Sequence, residues 1–145
     1  MSEELLPRRF RKVYDDGAVD DWLSSYSEAL SLDSVRFAGA FADERLVGLA
    51  TWATQEWNNC LWLVDIRVRG NTQRGGAGTR LIEMVKDEAR RTTARGIRVE
   101  TQTTNMPAIR FYLACGFRIT GFDDHLYSNR DLDEQEIGLF LFWET

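Results

Sequence analysis

The segment Gln73-Arg74-Gly75-Gly76-Ala77-Gly78-Thr79 constrains this chain more than any other. It lies between an apolar run, Cys60 to Val68, that reads as a strand and a stretch from about Thr79 to Arg95 that reads as a helix. A glycine-rich turn from strand to helix leaves backbone N–H groups bare at a helix N-terminus, where together they make an anion site. Side chains there would hold a ligand away. The alternative is a turn with a purely structural purpose. Two better-known glycine motifs do not fit. The phosphate loop of nucleoside triphosphatases needs Gly-Lys-Ser/Thr, whereas Gly78 is followed directly by Thr79; the dinucleotide fingerprint needs a glycine where Leu81 stands.

Around this juncture the pattern alternates. Arg9 to Tyr14 reads as a strand and Ala18 to Leu32 as an amphipathic helix, with Val19, Trp22, Leu23, Tyr26, Ala29 and Leu30 at helical spacing. Val35 to Phe41 and Arg45 to Trp57 read as a hairpin about Ala42-Asp43-Glu44. Gly96 is expected to stop the helix after the loop with positive φ. Ile97 to Thr101 is the next strand. Asn105-Met106-Pro107 opens a helix that Gly116 closes, with Asn105 as N-cap candidate. Two strands, about Phe117 to Tyr127 and Glu136 to Trp143, follow on either side of the polar Ser128-Asn129-Arg130-Asp131. This order predicts an α/β layer fold with a mixed sheet.

A chain of 145 residues has the usual size of one domain, so residues 1–145 are read as a single core. The apolar share of 43% and charged share of 28% are those of a soluble globular protein. No apolar run reaches the ~20 residues a bilayer span needs, and the acidic N-terminus does not read as a secretory signal, so a cytoplasmic location is expected. Cys60 and Cys115 stand in no metal-type spacing and are read as reduced thiols, with no metal expected. A net charge of −5 argues against a nucleic-acid backbone as partner and favours a small cation.

The glycine segment matches the Gln/Arg-x-x-Gly-x-Gly/Ala signature of the GNAT acetyltransferases at Gln73, Gly76 and Gly78. Asn105-Met106-Pro107-Ala108-Ile109-Arg110-Phe111-Tyr112-Leu113-Ala114-Cys115-Gly116-Phe117 resembles that family's Asn-x-x-Ala-x-x-Phe-Tyr-x-x-x-Gly-Phe at every named position. Within the superfamily, residues 61 to 143 look like the streptothricin acetyltransferases, over Val64-Asp65-Ile66-Arg67-Val68, Glu100-Thr101-Gln102 and Gly121-Phe122-Asp123-Asp124-His125-Leu126-Tyr127. The resemblance implies a mixed, mostly antiparallel sheet whose central parallel strands splay apart, flanked by helices. It implies acetyl-CoA as cosubstrate, a small-molecule amine as partner, streptothricin as the named candidate, and no membrane. It admits a homodimer. Gln73 departs from the commoner arginine, with Arg74 beside it.

In the resembled fold the loop Gln73, Arg74, Gly75, Gly76, Ala77, Gly78, Thr79 grips pyrophosphate, and main-chain groups near Ile66, Arg67 and Val68 hold pantetheine. Tyr112 would protonate the departing thiolate; its plain reading is a packed helix aromatic. Asn105 is either a helix cap or a cofactor contact. Asp65 and Glu100 interrupt strands that should be apolar, and a charge buried there is costly unless paired or used. Both are candidates for binding a cationic acceptor or passing on its proton, with salt bridges to Arg67 or Arg98 as the alternative. Asp123 and Asp124 either line an acidic pocket or form a solvated turn. His125 could be a base, though a lone histidine is more often incidental. The five tryptophans, notably Trp22, Trp52, Trp57 and Trp62, are read as mostly core, with one of them as a candidate to stack on substrate. No glutamate on Cys60 to Val68 matches the base of histone-type relatives, so the base stays unassigned. The competing functions are acetylation of a protein lysine or N-terminus, and a catalytically silent acetyl-CoA-binding module.

Overall fold

The computed structural model describes residues 35–70 and 76–145. The expected first strand and the helix Ala18 to Leu32 lie outside the described residues. The hairpin comes first, as β1 (Val35–Ala42) and β2 (Arg45–Gln55). Its loop is the pair Asp43 and Glu44, with φ of 50° and 64°. Two successive left-handed residues are what a two-residue hairpin needs to match the strand twist. β2 returns as β3 (Cys60–Val68) through a turn in which Asn59 takes φ 53° and the Asn58 carbonyl side chain accepts the Cys60 N–H at 3.2 Å. Trp57 stands on this turn and is 81% exposed, so the expectation of a core tryptophan fails there. Trp52 is buried.

Helix α1 (Ala77–Arg91) carries Leu81, Ile82, Val85 and Ala89 on its buried face, and these pack with Leu61, Leu63, Ile66 and Val68 of β3 in one core. It ends sooner than the sequence suggests. Thr93, at φ 56°, makes the left-handed turn that had been expected of Gly96. Gly96 instead opens β4 (Gly96–Gln102), where a Cβ would lie 2.2 Å from the Trp143 carbonyl oxygen. It is a glycine because β6 passes so close, not because a helix stops there.

Helix α2 (Met106–Ala114) is capped as predicted, with Asn105 Oδ1 accepting the Ala108 N–H at 3.2 Å, and Gly116 follows it at φ 90°. Lys86 of α1 donates to the Cys115 carbonyl at 2.6 Å, setting a cation at the C-terminal end of α2. β5 (Arg118–Asp123) is shorter than expected, a four-residue helix α3 (Asp131–Glu134) fills part of the polar connection, and β6 (Gly138–Glu144) ends the chain. The six strands among the described residues lie in the order β1-β2-β3-β4-β6-β5. Every neighbouring pair is antiparallel except β3 and β4. No helix among the described residues is long and apolar enough to cross a membrane.

Candidate functional site

The parallel pair at the centre of the sheet does not stay together. β3 and β4 pair from Cys60↔Gly96 to Leu63↔Val99, yet β3 runs on to Val68 along β2 and β4 runs on to Gln102 along β6. The divergence has a local cause. Thr51 faces Asp65 while Trp52 faces Leu63, so Val64 is an extra residue in β3, and a bulge bends the strand that carries it. A wedge therefore opens between residues 64–68 and 100–102, walled on both sides by extended backbone. Such a wedge admits a ligand that lies down like a strand and hydrogen-bonds main-chain groups. Ile66 and Val68 turn their side chains into the core, so what they offer the wedge is backbone.

β3 leads through Arg69 and Gly70 to the glycine segment, of which Gln73, Arg74 and Gly75 lie outside the described residues. Gly76 adopts φ 80°, and a Cβ there would meet nothing within 4 Å among the described residues. The first turn of α1, Ala77, Gly78 and Thr79, contains no acid, and no side chain among the described residues caps it. Its N–H groups and the positive end of the helix dipole are thus left for an anion, as a pyrophosphate requires. Gly78 has a different reason to be glycine: a Cβ would sit 3.2 Å from the Phe111 ring, so this position lets α1 approach α2. The wedge and the bare helix end together fit an extended, diphosphate-bearing cosubstrate.

Because side chains alternate along strands, and the bulge restores Ile66 and Val68 to the core, Asp65, Arg67 and Glu100 all face away from it. Asp65 is fully buried, and its Oδ2 accepts from Arg67 Nε at 3.0 Å; the salt bridge expected as the alternative role is present. The hydroxyl of Thr51, its neighbour on β2, is buried with no hydrogen-bond partner among the described residues. Glu100 does not pair with Arg98, whose guanidinium lies 4.8 Å over the Phe140 ring. Its Oε1 accepts instead from the Tyr127 hydroxyl. Burial and then this bond push the Tyr127 phenol far above its ordinary range, so it stays a donor.

The Tyr112 ring is fully buried between Phe111 and Phe117, with centroids at 5.5 and 5.4 Å. Asp123 accepts the His125 N–H at 2.8 Å, and Asp124 Oδ1 lies 2.5 Å from His125 Nδ1. These bonds build a turn, and the Asp124 carboxylate raises the His125 pKa.

Residues 2–117 match the Acetyltransferase (GNAT) family. The chain belongs to that family. A streptothricin acetyltransferase of Escherichia coli is 38% identical over 106 residues, 72% of this chain and 60% of its own length. Streptothricin acetyltransferase A of Bacillus subtilis is 27% identical over 143 residues, covering 99% of this chain and 78% of that protein. The chain thus spans less than two thirds of the E. coli relative. Among solved structures, a protein of Bacillus anthracis assigned as a streptothricin acetyltransferase, in complex with acetyl coenzyme A, superposes with a TM-score of 0.73 at 30% identity. That match covers 83% of this chain and 68% of the other. The splayed parallel pair is the GNAT sheet foreseen from the motifs.

Of the residues singled out in the sequence, this GNAT fold brings Asp65 and Glu100 to the same face of the sheet, on the two walls of the wedge, and sets Gly76 to Thr79 at a bare helix end. Two residues of the site were missed. Tyr127 reaches Glu100 across 27 positions, which no local pattern announces. Asp131 is 1% exposed, accepts the N–H groups of Tyr127 and Ser128, and had a readable signal in Ser128-Asn129-Arg130-Asp131, the spacing of a capping box.

Proposed function

We propose that this chain transfers an acetyl group from acetyl-CoA to a primary amine of a small cationic acceptor, with streptothricin as the named candidate. The observation that carries this reading is the wedge between β3 and β4, continuous through β3 with the uncapped start of α1. Bound acetyl-CoA supplies the activated acetyl group. The chain's part is to hold and orient it: main-chain groups of Ile66, Arg67 and Val68 along the wedge, and the N–H groups of Ala77, Gly78 and Thr79, with the loop Gln73 to Gly76, at the phosphates.

The acceptor arrives as an ammonium. Glu100, held by Tyr127, and the Asp65–Arg67 pair lie on the face turned away from the core and provide the carboxylates that recognise it and take its proton. As the nitrogen bonds to the acetyl carbon, the carbon–sulfur bond breaks and the thiolate needs a proton, for which Tyr112 is the donor. Relatives named for streptothricin support the acceptor class.

An acceptor screen tests this reading. The protein is incubated with acetyl-CoA and streptothricin, a neutral aliphatic amine or a peptide bearing a free lysine, and product is followed by thiol release and by mass for the gain of one acetyl group. The expected result is fastest turnover of streptothricin, with a preference that salt weakens. An inert streptothricin beside an efficiently acetylated peptide would overturn the acceptor class while leaving acetyl transfer intact.

A further inference from the structure

We propose that Asp131 is a positioning residue of the acceptor site, acting through Tyr127 to set where the Glu100 carboxylate stands beside the wedge. The inference rests on reading Glu100 as the group that meets the acceptor. Glu100 is the first residue of β4 beyond its last rung with β3, at Leu63↔Val99. Its position along the strand is set by pairing with Phe140 of β6, but backbone pairing does not orient a carboxylate. The Tyr127 hydroxyl does, by donating to Oε1.

Tyr127 itself lies between β5 and α3, on a segment with no strand ladder to hold it. Asp131 supplies what the ladder would. Its Oδ2 accepts the Tyr127 N–H at 2.8 Å, and its Oδ1 accepts the Ser128 N–H at 2.7 Å and the Ser128 hydroxyl at 3.0 Å. Burial alone would raise the Asp131 carboxyl, yet these bonds outweigh it and hold the group below its ordinary range. A capping box needs only the Ser128 bond. The added bond to Tyr127 ties down the residue that carries the phenol, so a buried charge on α3 fixes a hydroxyl that fixes a carboxylate on β4.

Two readouts test the chain of contacts. In protein labelled with 3-fluorotyrosine, the Tyr127 resonance is assigned by its loss in Tyr127→Phe. It should move in Glu100→Gln and move again in Asp131→Asn, whether or not an acceptor is present. With streptothricin as the amine, Asp131→Asn should raise the acceptor KM roughly tenfold, the scale of one lost charge-assisted hydrogen bond. The acetyl-CoA KM should stay within about twofold, and the change should vanish in a Tyr127→Phe background, where the contact it acts through is gone. Should Asp131→Asn fail to fold, Ser128→Ala removes one of the three bonds and should shift the resonance and the KM in the same direction by less. A Tyr127 resonance indifferent to Asp131, or a KM change that persists without the phenol, overturns the proposal and leaves Asp131 a fold residue. An unchanged acceptor KM in Glu100→Gln overturns it from the other side, by removing Glu100 from the acceptor site; the fluorine arm separates the two failures.

Discussion

Tyr112 shows how one side chain can satisfy two demands. Its ring fills the core between Phe111 and Phe117, while the proposed reaction asks only for its hydroxyl. Tyr112→Phe keeps the packing and removes the proton, so kcat and kcat/KM should fall together by about 100-fold, the low end for a general acid because a thiolate is a good leaving group. Steady-state kinetics at saturating acceptor check this; an unchanged kcat would make the ring purely structural. His125 offers a second test at this scale. Its pKa is raised above the ordinary 6.5 by the hydrogen bond its ring donates to the Asp124 carboxylate. The stabilisation this pair contributes is therefore complete below the unfolded pKa and is lost as pH rises through the folded one. An NMR titration should give a midpoint above 6.5, and Asp124→Asn should bring it back down. Tyr112 and Asn105 were legible because a motif fixes their spacing along one helix. Tyr127 was not, because its partner is 27 positions away and on another element.

At the scale of elements the glycines divide by cause, and their substitution should rank accordingly. Gly96→Ala would put a Cβ 2.2 Å from a backbone oxygen of β6, so the strand must shift, at a cost of about 3 kcal/mol or more. Gly78→Ala meets the edge of the Phe111 ring at 3.2 Å and a Val68 methyl at 3.5 Å, an overpacking of roughly 1–3 kcal/mol. Gly76→Ala meets nothing but carries φ 80°, a strain of roughly 1–2 kcal/mol. Urea unfolding of the three variants gives the order directly, and a Gly96→Ala as stable as Gly76→Ala would contradict the strand packing. The same glycines mark what the sequence could reveal. Runs of strand formers point to β1 to β4, the glycine-rich turn points to the start of α1, and Asn105 and Gly116 bracket α2. Gly96 looks like a helix stop in the sequence, however, because its true constraint comes from Trp143, far along the chain and adjacent only in the folded sheet. The splay was legible only through the family motif. The bulge at Val64 that produces it is a pairing between β2 and β3, and no run of apolar residues encodes where a ladder will skip.

For the whole molecule the decisive quantity is the free energy shared between folding and the cosubstrate. A ligand that binds only the folded chain stabilises it by about 2.7 kcal/mol at a hundred times its dissociation constant. In a domain of this size that is a rise in Tm of roughly 5–10 °C. Coenzyme A and acetyl-CoA should both produce it, since the phosphates and pantetheine that the wedge and helix end would hold are common to the two; nicotinamide dinucleotides should not. Gly76 makes the test specific. No described atom lies within 4 Å of its Cβ position, so Gly76→Tyr should fold with a modest loss of stability, chiefly from its positive φ. The new ring would then stand beside the first N–H groups of α1, where the phosphates are proposed to lie. Gly76→Asn, whose side chain tolerates the left-handed region, controls for the backbone term. The expected pattern is a full thermal response in wild type, most of it kept in Gly76→Asn, and none in Gly76→Tyr at the same ligand concentration. Loss of the response in both variants would trace it to backbone conformation, and an undiminished response in Gly76→Tyr would move the phosphates away from this helix end altogether.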